Sequence, residues 1–288
     1  MDSDSIAQLK DIHHNLFIEY SHSLSSLEDV VVDIDQSGLL ANSKTYEFAD
    51  KGYFPHKRGK KGYQLSAAFT GKHSETVDFY LDPGNTHCQD RLKDLLNSIT
   101  LKFSENLKTG KLIIRADSGY GAIENINMLN AIEGLKFIVK GYSTKKAASI
   151  AKTVSLSDYT QADDGAWVFE LPELEEGLRV ILVQILGKKG DLTYTLLYTN
   201  IAKSKLSAVE AFHFYNGRQT IEAFFKMAKN TYSIKNLRTG KFYGIYGFIW
   251  LVFITHNLIT WFKSTTLKDT ELEHVGVRTL VEKCSRIK

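Results

Sequence analysis

The sequence predicts an α/β protein, a mixed sheet with helices packed against it. Three observations point there. Short apolar runs, VVVDID at 30–35 and KLIIRAD at 111–117, have the length and β-branched content of buried strands, and both end in carboxylates. Amphipathic stretches with a helical period alternate with such runs, the clearest being YNGRQTIEAFFKMAK at 215–229. The stretch between them, from about 141 to 192, holds strand-like runs with no helical period.

Residues 1–28 read as a frayed or helical lead-in. After the strand at 30–35, YQLSAAFT (63–70) and TVDFYL (76–81) alternate as a hairpin around GKHSE, and DPGN (82–85) is turn chemistry. A helix is expected from about His87 to Ser98, then the strand ending at Asp117, a helix after SGYG, and a short strand KFIVK at 136–140. AWVFELPE and LRVILVQIL make 141–192 a β-rich insertion, and TYTLLYTN (193–200) is a further strand. The expected division is a core of 29–140 and 193–265, the insertion at 141–192 and a tail at 266–288.

At 288 residues, with 43% hydrophobic and 11% aromatic side chains, the chain can bury a core, which argues against wholesale disorder. Two cysteines, Cys88 and Cys284, make neither a disulfide framework nor a zinc spacing, and the acidic, polar N-terminus is no signal peptide; both fit a cytoplasmic protein. Residues 244–262, GIYGFIWLVFITHNLITWF, are long enough to cross a bilayer, but His256 and Asn257 inside the run favour a buried core helix over a membrane span. Net charge is only +3, yet it is unevenly spread. Residues 205–241 carry seven bases against two acids, and KGYFPHKRGKK (51–61) carries five bases and no acid. Basic patches interleaved with Tyr and Phe suit a phosphate backbone, though either alone suits a solvated loop.

At 100° per residue, Tyr215, Arg218, Glu222, Lys226 and Lys229 fall on one stripe of a helix, with Ile221, Phe224 and Ala228 opposite. The stripe is either an ordinary solvated face with a Glu222–Lys226 pair, or a surface that meets a polyanion and keeps one carboxylate for a metal ion. The acids at the strand ends are Asp33, Asp35 and Asp117. Each has a plain structural reading: DQSG is good turn chemistry, and Asp117 can cap the helix that follows it. Together with Glu222 they suggest more. Three carboxylates can hold two hard divalent ions across the attacking and leaving oxygens of a phosphoryl displacement, and the basic surround suits a phosphodiester.

On these residues the chain resembles the DDE transposases of bacterial insertion sequences, specifically the insertion-sequence-four-like group marked by Y-x2-R-x3-E-x6-K. Tyr215, Arg218, Glu222 and Lys229 match that spacing without exception. VVVDIDQSG offers Asp35-Gln36-Ser37 for the family's D-x-T/S, with Asp33 as the competing strand-end acid, and LIIRADSGY offers Asp117. The separations of 82 and 105 residues leave room for a β-rich insertion before the glutamate. The resemblance covers roughly residues 30–262. It implies a ribonuclease-H-like core in which Asp35, Asp117 and Glu222 hold two Mg²⁺ or Mn²⁺ ions. It also implies that Tyr215, Arg218 and Lys229 contact DNA, with Lys226 on the same basic stripe. Implied too are nicking of double-stranded DNA at transposon ends, attack by the freed 3′-OH through a hairpin, and a homodimer on DNA. The family usually carries a helical end-recognition domain before its first aspartate, so the expectation here is a catalytic domain without that module. Another ribonuclease-H-like nuclease, or a DNA-binding protein that kept the fold and lost the chemistry, are the alternatives.

Overall fold

The protein is described by a computed structural model covering residues 1–41, 45–54, 57, 59–172 and 177–285. Arg58 of the basic run 51–61 lies outside the described residues. In chain order the elements are α1 (Ser3–Tyr20), β1 (Val30–Leu40), β2 (Asp50–Lys51), β3 (Lys61–Thr70), β4 (Thr76–Pro83), α2 (Leu92–Lys102), α3 (Ser104–Lys108), β5 (Leu112–Ala116), α4 (Ile123–Asn130) and β6 (Leu135–Lys140). There follow α5 (Thr144–Ala151), β7 (Thr160–Asp163), β8 (Ala166–Glu170), β9 (Arg179–Leu186), β10 (Leu192–Thr199), α6 (Ala208–Asn216), α7 (Gln219–Asn230), α8 (Phe242–Thr265) and α9 (Val277–Cys284). They form two compact units: one of residues 1–27, 36–87 and 221–288, the other of 28–35 and 88–220. The chain passes from one to the other inside β1 and inside α7.

In the second unit β1 runs parallel to β5, and β5 parallel to β6. Parallel neighbours need a crossover, and α4 supplies the one between β5 and β6. β6, β10, β9, β8 and β7 continue as an antiparallel series. β5 is buried along its whole length, which is why LIIRA reads as an unbroken apolar run but for its arginine. α6 packs Ala211 and Phe212 on Ile138, Ile181, Val183 and Leu197 of the strands beneath it. The stretch 141–192, expected to be β-rich, contributes β7, β8 and β9 and also contains α5. Ser143 starts it, its side chain accepting from the Lys146 N–H, and only Ala147 is buried, so its apolar signal is too small for periodicity to find.

The first unit is built on the predicted hairpin. β3 and β4 pair antiparallel from Tyr63–Pro83 to Phe69–Thr76, and β2 pairs with the start of β3. Ile221, Phe224, Phe225 and Ala228 of α7 and Ile249, Trp250 and Phe253 of α8 cover its apolar face. Phe224 stacks on Phe69 with ring centroids 4.8 Å apart and meets Phe253 edge-on at 5.2 Å. The lead-in is helical, and α1 buries His13 and Phe17 against Trp250 and Trp261 of α8.

α8 is the one helix among the described residues long and apolar enough to cross a membrane. Its two central polar residues are instead satisfied inside this unit. Asn257 Oδ1 accepts from the Thr76 N–H at 2.8 Å and the Thr76 hydroxyl at 2.9 Å, while its amide donates to Thr76 O at 2.9 Å. His256 donates from Nε2 to Ser74 O at 2.8 Å, which leaves Nδ1 to accept from the Tyr232 hydroxyl at 3.3 Å. Next to them the buried Glu75 carboxylate accepts from the Ser21 hydroxyl, the His22 N–H and the Trp261 indole, each at 2.8 Å. These groups pin the turn between β3 and β4 to both helices.

Burial holds the His256 imidazole down to about 4, Lys263 pushing the same way against the Ser74 carbonyl. Between pH 6.5 and 4 the unfolded chain therefore binds a proton that the folded chain refuses. Stability contributed by neutral His256 is fully present above pH 6.5 and declines as pH falls toward 4, by up to ~3 kcal/mol. Urea midpoints measured across that window should fall with acidity, and a His256→Gln variant should show a flatter profile.

Candidate active site

The parallel register of β1 and β5 sets the site. Val30 faces Leu112 and Ile34 faces Ala116, so the next residue on each strand is an aspartate, Asp35 and Asp117. Neighbouring strands lie about 4.8 Å apart, which brings the two aspartates to one level just past the last paired residues of β1 and β5, a strand end for Asp117 but mid-strand for Asp35. Carboxyl ends of parallel strands are where α/β sheets form their sites.

The aspartates are held differently. β5 stops at Ala116, and Asp117 Oδ1 caps the short turn Ser118–Tyr120 by accepting from the Gly119 N–H at 2.9 Å. Asp117 thus caps this short turn and not α4, the helix it is expected to cap, which starts after Ala122; the bond orients the carboxylate. Gly119 must be glycine: a Cβ there would fall 2.7 Å from Cys88 Sγ and 3.0 Å from Asp117 Oδ1. Cys88 and Gln89 strap this loop down, the thiol and the amide each donating to Gly119 O at 3.2 Å. Asp35 is no turn residue, because β1 runs through it to Leu40. Its Oδ2 accepts from Arg218 Nη1 at 2.9 Å, with 12% and 15% of the two side chains exposed.

Asp33, on the same strand face as Asp35, is fully buried and fully used. Its two oxygens accept from Arg115 Nε at 2.7 Å and Nη2 at 2.9 Å, and the Thr220 hydroxyl adds a third bond at 2.7 Å. Arg115 is also the register partner of Asp33 across the strands. Its remaining Nη1 donates to Phe214 O at 2.7 Å, where α6 ends.

That contact explains a departure from the expected helix. Residues 215–229 do not form one helix: α6 ends at Asn216, α7 starts at Gln219, and Arg218 lies between them. Gly217 caps α6, and a Cβ at this position would fall 2.5 Å from Arg115 Nη1. The Arg115 guanidinium thus takes the space a side chain would need, and glycine is itself poor in a helix interior. The single stripe therefore divides. Tyr215 and Arg218 belong to the unit that holds Asp35 and Asp117; Glu222, Lys226 and Lys229 continue along α7 in the other, opposite its buried Ile221, Phe224 and Ala228. Glu222 and Lys226 are exposed, and Lys229 Nζ donates to the hydroxyl of Ser37, two residues past Asp35, at 2.8 Å.

Charges around the aspartates are strongly coupled. Burial works against the charge on Arg218, but Asp35 first, then Tyr215 and Asp117, outweigh it and hold the guanidinium above its usual range. Burial pushes the Tyr215 hydroxyl up to about 12; Arg218 pulls it down and Asp117 and Asp35 raise it. The Cys88 thiol is also pushed up to about 12, by burial and then by Asp117. Burial and the charges of Cys88, Asp35 and Asp117 drive Tyr120 well above a phenol's ordinary value. Its hydroxyl is buried and has no hydrogen-bond partner among the described residues.

Sequence reasoning missed Arg115, Thr220, Cys88 and Tyr120. Arg115 had a signal, being the one charge inside LIIRA; the others had none. Among the described residues no three His, Cys, Asp or Glu side chains are gathered closely enough to hold a metal ion. The unit with Asp35 and Asp117 nevertheless suits a divalent cation: two hard oxygen donors share a level, a positive charge already lies against them, and a buried hydroxyl beside them lacks a partner.

A family profile described as transposase DDE domain group 1 matches residues 1–287. The chain belongs to the DDE transposase domain family. That match does not single out the insertion-sequence-four-like group. Among solved structures, this DDE domain is similar to piggyBac transposase in a synaptic complex with hairpin DNA, at 13% identity and a TM-score of 0.58. The match covers 93% of this chain and 54% of that one, so the chain spans about half the length of that transposase. The ribonuclease-H-like α/β fold is as expected. A Mos1 mariner paired-end complex with Mn matches far less, at 16% identity and a TM-score of 0.25, over 46% of this chain and 42% of that one. No curated protein matches the chain.

The Asp33–Arg115 pair yields a prediction about folding. Arg115→Met leaves a buried carboxylate without its counter-ion and should cost about 3–5 kcal/mol. Adding Asp33→Leu should recover part of that loss, which a double-mutant cycle in urea would measure. Recovery should be incomplete, because Phe214 O stays without its donor.

Proposed function

We propose that this DDE domain cleaves DNA strands and joins the freed 3′-OH to a new strand, using divalent metal ions held by Asp35, Asp117 and Glu222. The observation that carries the reading is the placement of Asp35 and Asp117 at one level on adjacent chain segments, just past the parallel pairing of β1 with β5, with Arg218 against Asp35. The Y-x2-R-x3-E-x6-K spacing adds Glu222. Asp33 is not a rival ligand in this reading, since Arg115 and Thr220 already take its oxygens.

Mg²⁺ or Mn²⁺, when bound, would supply the charge that offsets a pentacoordinate phosphate and lowers the pKa of an attacking water. The protein's own groups do the rest. Asp117 is pre-oriented by its cap to Gly119, so it needs no reorganisation on loading. Arg218 offsets the charge of Asp35, and its guanidinium is a fork suited to a phosphate. Tyr215, held neutral at physiological pH, serves as a hydrogen-bond donor to a phosphate oxygen rather than as a base or nucleophile. Lys226 and Lys229 lie along α7 with Glu222 and add contacts to the DNA backbone. Double-stranded DNA, as transposon ends and target, is the substrate, with the protein acting in the cytoplasm as a homodimer on DNA. A hairpin intermediate follows from the resemblance.

Supercoiled plasmid with Mg²⁺ or Mn²⁺ tests this directly. Nicking should require the metal and fall at least ~1,000-fold in Asp35→Asn, Asp117→Asn and Glu222→Gln, with the fold retained. Arg218→Gln and Lys229→Gln should instead weaken DNA binding and flatten its salt dependence. DNA binding that ignores metal, with no cleavage and no effect of Glu222→Gln, would make the domain a binding module instead.

A further inference from the structure

Within the second unit a cleft of about 310 Å³ opens where the chain leaves β5 and β6. It begins at Gly121, four residues past Asp117. The Tyr142 N–H donates to Gly121 O at 3.0 Å and ties the two loops together. α4 and α5 both start here: Ala122, Ile123 and Glu124 line the cleft from one, Ser143 and Lys146 from the other. The first N–H groups of a helix have no partner inside it and together carry about half a positive charge. No side chain caps α4, and Ser143 takes only the Lys146 N–H of α5. Three side chains of the same cleft are also unpaired among the described residues. Tyr198 is only 4% exposed, yet its hydroxyl makes no hydrogen bond. Unlike the Tyr120 hydroxyl it is not sealed in, so the cleft is where it meets solvent. Lys146 and Glu124 carry opposite charges, both are exposed, and neither makes an ion pair. Most of the remaining wall is apolar or aromatic, from Ile123, Ile126, Tyr142 and Leu196.

We propose that this cleft binds a single nucleotide, its phosphate at the starts of α4 and α5 beside Lys146 and the Tyr198 hydroxyl, its base against Ile123 and Tyr142. The groups present select the ligand class. Two helix starts, a lysine and a phenol are all donors, and a phosphate offers several acceptor oxygens to meet them. Inorganic phosphate would leave the apolar wall and most of the volume unfilled, for a cleft of this size holds a small organic molecule. A purely apolar ligand would cover the Tyr198 hydroxyl and the free N–H groups without pairing them. Glu124 is the one carboxylate of the lining, and it accepts from the donors that a base or a sugar carries. It also explains why the two charges stay apart: each faces a different part of the ligand. The carboxyl ends of parallel strands are where α/β sheets take up such ligands. The nucleotide can be free or one unit of a DNA strand; the recognising chemistry is the same. Neither Asp35, Asp117 nor Glu222 takes part, so the inference stands without the catalytic reading.

Calorimetric titration of the intact chain with deoxyadenosine monophosphate, without divalent metal, tests it. Saturable binding is expected, with a dissociation constant below about 1 mM. Tyr198→Phe and Lys146→Glu should each weaken it by about 10-fold, since each removes one donor to the phosphate. Deoxyadenosine and inorganic phosphate each carry half of the ligand and should bind at least ~10-fold more weakly than the nucleotide. A second measurement does not rest on variants: amide hydrogen exchange in segments 121–124 and 142–146 should slow when the nucleotide is bound. A single-stranded oligonucleotide that displaces the nucleotide supports the site as a DNA-strand subsite, and one that leaves it in place supports a site for free nucleotide. No saturable binding, inorganic phosphate that binds as well as the nucleotide, variants that bind like the wild type, or slowed exchange confined to other segments would each overturn the proposal. No metal is present and no cleavage is read, so none of these outcomes decides the catalytic reading.

Discussion

The buried pairing of Asp33 with Arg115 is the constraint on which the candidate site depends. It locks the register of β1 against β5, because the two residues are partners across the strands and a one-residue slip would put the two charges on opposite faces of the sheet. That register places Asp35 and Asp117 side by side. The same guanidinium reaches Phe214 O and ends α6, and the same carboxylate accepts from Thr220 at the start of α7. Arg218 lies between those two anchors, which is why its side chain is delivered to Asp35. A buried ion pair is poor at raising stability, since desolvation consumes most of its attraction. Its value here is geometric: apolar substitutes could fill the space but not fix two strands and two helix ends at once.

Around that anchor the charge balance is tight. Two aspartates at one level repel, and Arg218 offsets them while holding Asp35 in place. Tyr215 and Tyr120 stay protonated because burial and the carboxylates both oppose a third negative charge. Arg218 is the cation set against this group, held to Asp35 at 2.9 Å.

Much of this was legible before any coordinates. The hairpin, the buried character of α8 and the packed face of α7 follow from local patterns of burial, and those patterns survive folding; the first strand, read as ending at Asp35, instead continues to Leu40. What failed was whatever depended on a partner distant in sequence. A 100° wheel continues through Gly217 because nothing nearby says that Arg115, on another strand, needs the space. Asp33 and Asp35 look alike within VVVDID, and only the arginine on β5 separates the spent carboxylate from the accessible one. Asp117 was foreseen as a cap because capping is local, though it caps the turn at Ser118–Tyr120 rather than α4; the thiol strap from Cys88 was not foreseen, because it crosses from a different segment.

The two polar residues inside α8 show the same logic. His256 and Asn257 interrupt an apolar run and are satisfied by the turn between β3 and β4, so their presence argues for a protein interior. A bilayer would leave them without partners.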